Sequence, residues 1–276
     1  MSEVVANVAR KAFASAANYE KVRSDYPVEA VEFLLQKLGV TDNEASNTTG
    51  NRPFTILELG CGTGKFTRVM VKLLTGKKVK VIASEPLQSM CQQFKLMVPE
   101  TEIIQCAAEK IPLPDASVDV VIAVQSFHWF TNRSALEEIH RVLVPNGSFG
   151  LMWSLLDVSI PWEKDLFDFL RILDEGNSLV FPHFENWKEV FSLLSQHLFS
   201  TPEECISFEN CLQASSFDQA YKHFASYSII AGGSESDKKA FQELFNELME
   251  KHFKEKGISF EGIRFKLYMY WCHKEI

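Results

Sequence analysis

Residues 56–67 read Ile-Leu-Glu-Leu-Gly-Cys-Gly-Thr-Gly-Lys-Phe-Thr, an apolar strand running straight into three glycines at alternate positions and on into a helix pattern. Glycine lets the chain turn sharply and lets a ligand approach backbone where a Cβ would otherwise stand. A strand, glycine turn and helix in that order is how an α/β protein presents backbone to a nucleotide-like ligand. Spacing narrows the choice. The dinucleotide fingerprint is G-x-G-x-x-G, whereas Gly60, Gly62 and Gly64 are followed by Lys65 and make G-x-G-x-G. A P-loop is excluded, because no G-K-[ST] follows a four-residue gap.

The rest of the chain supplies strands and helices to go with this turn. Apolar runs at 55–59, 78–84, 102–106, 118–125 and 148–154 alternate with helical patterns near 65–74, 87–98 and 134–142. Such alternation implies right-handed crossovers and a parallel sheet. Beyond Asp157, helical segments rich in Phe and Trp are expected near 162–173, 186–194 and 217–228, with another at 236–256. Strands are expected at 205–212 and 263–273, and residues 231–234 read as a hinge or turn. The chain opens with a helical stretch at 3–38 and a polar segment at 41–53, expected to be a mobile loop. This divides the chain into an N-terminal helical segment and loop (1–50), a sheet core (51–157), and a helical cap with the strands that complete the sheet (158–276).

Composition excludes several classes. A net charge of -8, with no run of five basic residues, argues against a nucleic-acid partner. The first residues lack a signal-peptide apolar core, and no 18-residue apolar run exists, so no membrane partner is expected. Cys61, Cys91, Cys106, Cys205, Cys211 and Cys272 form no C-x-x-C pair and read as reduced thiols of a cytoplasmic protein. The seven histidines are dispersed, so no metal is expected, and no Gly-x-Ser-x-Gly elbow supports hydrolase chemistry.

Parallel sheets bind ligands at the carboxyl ends of their strands, and the residues found there carry a resemblance. Glu58 to Gly64 resembles motif I of class I S-adenosylmethionine (SAM)-dependent methyltransferases, Glu-x-Gly-x-Gly-x-Gly. It implies cofactor contacts from Glu58, Gly60, Cys61, Gly62, Thr63 and Gly64. Glu85-Pro86 follows the second strand, roughly 20 residues on, where an acid accepts hydrogen bonds from ribose hydroxyls. Cys106 to Asp115 resembles (Gly/Ala)-x-Ala-Glu-x-(Leu/Ile)-Pro-(Phe/Leu)-x-Asp, whose first residues contact adenine in the family; Ala107, Ala108 and Glu109 match them.

Gln125-Ser126-Phe127-His128-Trp129-Phe130 resembles the (Gln/Ala)-x-x-His-Trp-Phe stretch of small-molecule methyltransferases related to trans-aconitate methyltransferase. Gln125 and Trp129 are cofactor candidates on that basis; Trp129 reads alternatively as a roof over the substrate site or as a core aromatic. His128 reads either as a general base at the substrate or as a structural histidine. Those relatives often continue with Asp where this chain has Thr131, a position suited to capping the next helix. Residues 138–153 look like motif III, a helix end, an Asn-Gly turn and a strand; His140 and Arg141 are then helix-end residues. Trp153 closes that strand and joins His128 and Tyr227 as a substrate-site candidate. The segment from Phe13 to Pro27 resembles the opening of the same relatives, which folds over the cofactor, and nominates Tyr19 as the aromatic beside the sulfonium. Residues 224–228 resemble their pocket-lining Ser-x-Ser segment. The (Asp/Asn)-Pro-Pro-(Tyr/Phe) loop of DNA and RNA adenine methylases is missing, and Pro145 is followed by Asn146 rather than a cysteine nucleophile.

The resemblance implies an α/β fold with a Rossmann-like class I methyltransferase sheet, mostly parallel with the last strand antiparallel, under a helical cap. It implies SAM as cofactor, S-adenosylhomocysteine as product, and a small-molecule acceptor offering a carboxylate or hydroxyl oxygen. The alternatives are N-methylation of a small amine, or a non-catalytic SAM-binding or partner-binding protein. A monomer or weak homodimer is expected.

Overall fold

The computed structural model describes residues 16–40, 52–173, 186–214 and 216–275. Helices α1 (Ala16–Val22) and α2 (Val28–Lys37) come first. There follow β1 (Phe54–Leu59), α3 (Lys65–Leu73), β2 (Val79–Ser84), α4 (Gln88–Met97) and β3 (Glu102–Ile104). Next come β4 (Val118–Val124), a 3-10 turn (Phe127–Trp129), α5 (Arg133–Val142) and β5 (Leu143–Leu156). The chain then forms α6 (Pro161–Leu173), α7 (Asn186–Leu194), β6 (Glu203–Leu212), α8 (Phe217–Ala225), α9 (Ser228–Ala231), α10 (Glu235–Met249) and β7 (Ile263–His273). The expected helical stretch before Ala16 and the polar loop as far as residue 51 lie outside the described residues.

The strands make one seven-stranded sheet in the order β3-β2-β1-β4-β5-β7-β6. β1 to β5 pair in parallel, and β7 lies antiparallel between β5 and β6, as the resemblance implied. Crossover helices cover both faces, so β1 is buried along its whole length and β4 everywhere except Asp119. The Asp119 carboxylate accepts from both Arg52 Nη atoms (2.6 and 2.5 Å) and from the Thr55 amide (2.7 Å).

On one face Leu34 of α2 with Phe66 and Met70 of α3 pack against Ile56, Val120 and Met269. On the other, Phe127, Phe149, Trp153 and Trp187 form an aromatic layer. A third cluster, with Trp162, Phe224, Phe241, Phe245 and Phe265, joins α6, α8 and α10 to the sheet. Each such fully buried side chain contributes about 1.5–3 kcal/mol. Because β7 is antiparallel, its start (Phe265) pairs with the end of β5 (Leu156). The cap therefore sits at the carboxyl ends of the parallel strands. The chain builds β1, β2 and β3 to one side and then returns to place β4 beside β1. That reversal opens a crevice above β1 and β4.

Two local departures from the expected pattern matter for the site. The helix expected over 217–228 stops at Ala225, where the Ser226 hydroxyl donates to the His223 carbonyl (2.6 Å). Tyr227 is extended (φ -65°, ψ 137°) before α9 resumes, which takes it off the helix face and into the cavity wall. The cap of α5 is Asn132, whose side chain accepts from the Ala135 amide, and not Thr131. The Thr131 hydroxyl donates to the Phe127 carbonyl instead (2.8 Å).

Candidate active site

One cavity opens over the carboxyl ends of β1, β2 and β4 and reaches under the cap. Every residue expected at the cofactor or substrate site lines it except Gly64 and Trp153. The glycine turn is formed by backbone bonds: the Gly60 and Cys61 amides donate to the Ser84 carbonyl (2.8 and 3.0 Å). Gly60, Gly62 and Gly64 all have positive φ (68°, 56° and 89°). At Gly60 an added Cβ would lie 2.6 Å from Ser126 Cβ, so the turn packs directly on the loop after β4. At Gly62 it would meet nothing within 4 Å. At Gly64 it would strike Val98 Cγ2 (2.7 Å) and Phe94 Cδ2 (2.9 Å) of the α4 layer. Gly64 therefore serves close packing of α3 against α4, which explains its position outside the cavity wall.

Two acids stand at the ends of adjacent strands. The Glu58 carboxylate, 2% exposed, accepts from the Thr67 hydroxyl (2.6 Å). Burial pushes its pKa up to about 8; the Thr67 bond opposes the rise and Glu85 adds to it. Glu85, 6% exposed, accepts from the Gly62 amide (3.1 Å) and the Leu87 amide (3.0 Å), tying the glycine turn to the end of β2. Burial raises it to about 7 against those two amides. Among the described residues neither acid has a cationic partner.

The Cys106–Asp115 segment is held by α5. Arg141 donates to the Ile111 and Leu113 carbonyls (2.8 Å each) and to Asp115 (2.7 Å), while Glu138 accepts from the Ile111 amide (2.8 Å). Arg141 is a helix-end residue as expected, and it also clamps this loop. Glu109 accepts from Asn132 Nδ2 (3.0 Å), which ties the loop to the α5 cap.

After β4, Gln125 takes positive φ (52°) and its side chain donates to the Ser154 carbonyl (2.7 Å). The turn that follows brings His128 and Trp129 to the cavity, their ring centroids 5.4 Å apart. Burial lowers the His128 pKa to about 4. Trp153 is 0% exposed and lies behind His128; its indole Nε1 donates to His128 Nδ1 (3.3 Å) while its rings stack on Trp187 (4.8 Å). Trp153 is thus a supporting residue and does not face the cavity, because β5 directs it into the aromatic layer.

The N-terminal segment closes the other side. Glu20 accepts from the Thr63 hydroxyl and pairs with Arg68 (2.8 Å), and Asp25 pairs with Lys65 (3.1 Å) and Arg68 (2.8 Å). These bonds latch α1 to the glycine turn and α3. Tyr19 and Arg23 then face the cavity. The Arg23 guanidinium lies 5.0 Å from the Tyr19 ring and 4.2 Å from the Tyr227 ring, and donates to the Ser226 carbonyl (3.1 Å). Arg23 pairs with no carboxylate among the described residues, and its Nε is buried without a partner. Sequence reasoning passed over Arg23 as a site residue. Its only signal was a cation inside an otherwise aromatic N-terminal motif. Among the described residues no group of three or more His, Cys, Asp or Glu is arranged to hold a metal ion.

Residues 57–151 match the family model of a methyltransferase domain. The chain is 39% identical over 193 residues to an uncharacterized methyltransferase of Schizosaccharomyces pombe, spanning 68% of this chain and 70% of that protein. The chain belongs to the class I SAM-dependent methyltransferases. A second S. pombe protein, an uncharacterized methyltransferase-like protein, is 31% identical over 233 residues, covering 84% of this chain and 83% of its own. In fold, the methyltransferase resembles the crystal structure of a protein from Anabaena variabilis assigned as a methyltransferase of an antibiotic biosynthesis pathway. That match has a TM-score of 0.58 and 21% identity, covering 88% of this chain and 97% of the other. SAM is the cofactor. The cavity fits it: open backbone at Gly62, an acid at the end of β2, and apolar walls from Leu87, Met90 and Ala108. No helix among the described residues is long and apolar enough to cross a membrane.

Proposed function

We propose that this methyltransferase carries the methyl group to a carboxylate oxygen of a small, partly apolar acid. The observation that carries the reading is the charge on the cap side of the cavity. Arg23, against Tyr227 and the Ser226 carbonyl, is the cation of that side, and the acids of the wall (Glu58, Glu85 and Glu109) all belong to the cofactor motifs. Among the described residues a cationic amine would find no carboxylate there, whereas a carboxylate would meet the guanidinium in charge-assisted hydrogen bonds. Phe167, Tyr227, Ile229 and Phe265 provide apolar surface for the remainder of the molecule. The resemblance of residues 125–130 to relatives of trans-aconitate methyltransferase supports the same reading.

SAM supplies a methyl group already electrophilic on its sulfonium sulfur, so the protein needs chiefly to align and desolvate the acceptor. Glu85 would accept from the ribose hydroxyls, and the open space at Gly62 would leave room for the cofactor. Glu58, Gly60, Cys61, Thr63 and Pro86 complete that wall. Ala107, Ala108 and Glu109 would border the adenine, and Gln125 and Trp129 would add further cofactor contacts. Tyr19 would shield the sulfonium from water, and the salt bridges of Glu20 and Asp25 hold its segment against the glycine turn and α3. A carboxylate is ionised at neutral pH and requires no base. That suits a His128 whose pKa of about 4 makes it a weak one.

In this reading the chain divides into an N-terminal helical segment and loop (1–50), of which residues 16–40 border the site, a cofactor core (51–157), and a cap with the final strands (158–276). The free state of all six cysteines accords with a reducing, cytoplasmic setting. The test is product chemistry. Protein incubated with methyl-labelled SAM and a panel of carboxylic acids, phenols and amines should transfer label to acids. Mild alkali should release it as methanol, because esters hydrolyse. Label on amines or phenols, stable to alkali, would reject the carboxylate assignment.

A further inference from the structure

We propose that Trp153 is a positioning residue that holds His128 in a single neutral tautomer, so that the imidazole offers the acceptor an N–H and no lone pair. The indole nitrogen is a donor only. At 3.3 Å from Nδ1 it makes that nitrogen the acceptor, and a neutral imidazole must then carry its proton on Nε2. His128 lines the cavity, and Nδ1 is its only bonded nitrogen among the described residues.

Trp153 cannot easily turn away. It is paired with Tyr268 across β5 and β7, stacked on Trp187 at 4.8 Å, and met edge-on by Tyr270 at 6.0 Å. Rotation would take the buried N–H away from its His128 acceptor, which is unfavourable. Protonating His128 would set its Nδ1–H against the indole N–H.

The second histidine of the cavity wall is arranged in the opposite sense. His223 Nδ1 lies 2.9 Å from the Val22 carbonyl and must donate to it. Its Nε2 then has the lone pair, 3.4 Å from the Tyr227 hydroxyl. Both imidazole lone pairs are thus turned to protein groups, and neither histidine is left as a base. This deepens the carboxylate reading and rests on it for what the His128 N–H contacts: an acceptor already ionised, whose oxygen takes the hydrogen bond.

Two-bond 1H–15N spectra of protein labelled with 15N-histidine read the tautomer directly, with His128 assigned by the signal lost in His128→Gln. The wild type should show the Nε2–H pattern between pH 6 and 8, with a tautomer ratio of about 10 or more, as a hydrogen bond of this kind supplies. In Trp153→Phe the pattern should move to a mixture or to Nδ1–H. A wild-type His128 in the Nδ1–H or imidazolium form at pH 7 would overturn the proposal, as would a pattern unchanged by Trp153→Phe. Should that variant fail to fold, the wild-type spectrum alone decides. The spectra need no acceptor, so the tautomer they report is independent of whether an ester is formed.

Discussion

Binding of SAM should expel about one proton near pH 7.5. Glu58 and Glu85 are buried side by side in the cofactor wall, with pKa values raised to about 8 and about 7. Their neighbours do little to favour ionisation. Glu58 has the Thr67 hydroxyl and Glu85 two backbone amides. The nearby charges of Lys65 and Arg68 are engaged by Glu20 and Asp25. At pH 7.5 the pair therefore holds about one proton in the ligand-free protein. SAM carries a sulfonium and an ammonium beside one carboxylate, and its ribose offers two hydroxyl donors. Both features favour ionised acids and draw their pKa values back toward 4.5. Calorimetric titrations in phosphate, HEPES and Tris at pH 7.5 separate the proton from the binding heat. Apparent enthalpy plotted against buffer ionisation enthalpy should have a slope of about one proton released. Affinity should rise with pH by nearly tenfold per unit around 7.5 and level off above about 8. Glu58→Gln should remove most of the release. A wild-type enthalpy independent of the buffer would refute the reasoning.

The same two acids make the ligand-free fold sensitive to alkali. Their folded values lie above the unfolded 4.5, so the stability they contribute is complete below about pH 4.5 and is lost as pH rises through 7 and 8. At about 1.4 kcal/mol per unit, this amounts to several kcal/mol. Thermal melts should fall from pH 6 to pH 9, less so in Glu58→Gln, and a flat profile would count against the raised values. His128 and His223, lowered to about 4 and about 3, act in the opposite sense and only below pH 6.5. Gly64→Ala combines a φ of 89° with a Cβ 2.7 Å from Val98, and should lower stability by about 2 kcal/mol or more in urea titrations. An unchanged midpoint would contradict that packing. Glu85→Ala should weaken SAM binding at least about tenfold, through loss of a charged acceptor; unchanged affinity would remove the ribose assignment.

The parts of the site formed by consecutive residues were legible in the sequence. The glycine turn, Glu85-Pro86 and the Ala107–Glu109 stretch each follow a strand at its carboxyl end, and strand placement alone brings them to one cavity. The antiparallel last strand came from family resemblance, since periodicity carries no direction. What stayed hidden depends on contacts between distant segments. Arg23 acquires its meaning only where α1 meets the segment after α8, 203 residues away in the chain. Trp153 looked like a strand-end residue facing substrate, yet the pleat of β5 points it into the aromatic layer. Gly64 belonged to the motif by spacing, but its task is set by Phe94 and Val98 of another helix layer. Helix 217–228 kept its periodicity through Tyr227, and a serine hydroxyl capping the His223 carbonyl broke it two residues earlier.

The most direct test of the carboxylate assignment is the kinetics of Arg23→Gln on an acid that the wild type esterifies. The proposed function sets Arg23 against the acceptor, so KM for the acid should rise at least about tenfold, the loss of one charge-assisted bond. SAM affinity, measured separately by calorimetry, should stay within about twofold. An unchanged KM for the acid, in folded protein that binds SAM normally, would contradict the account.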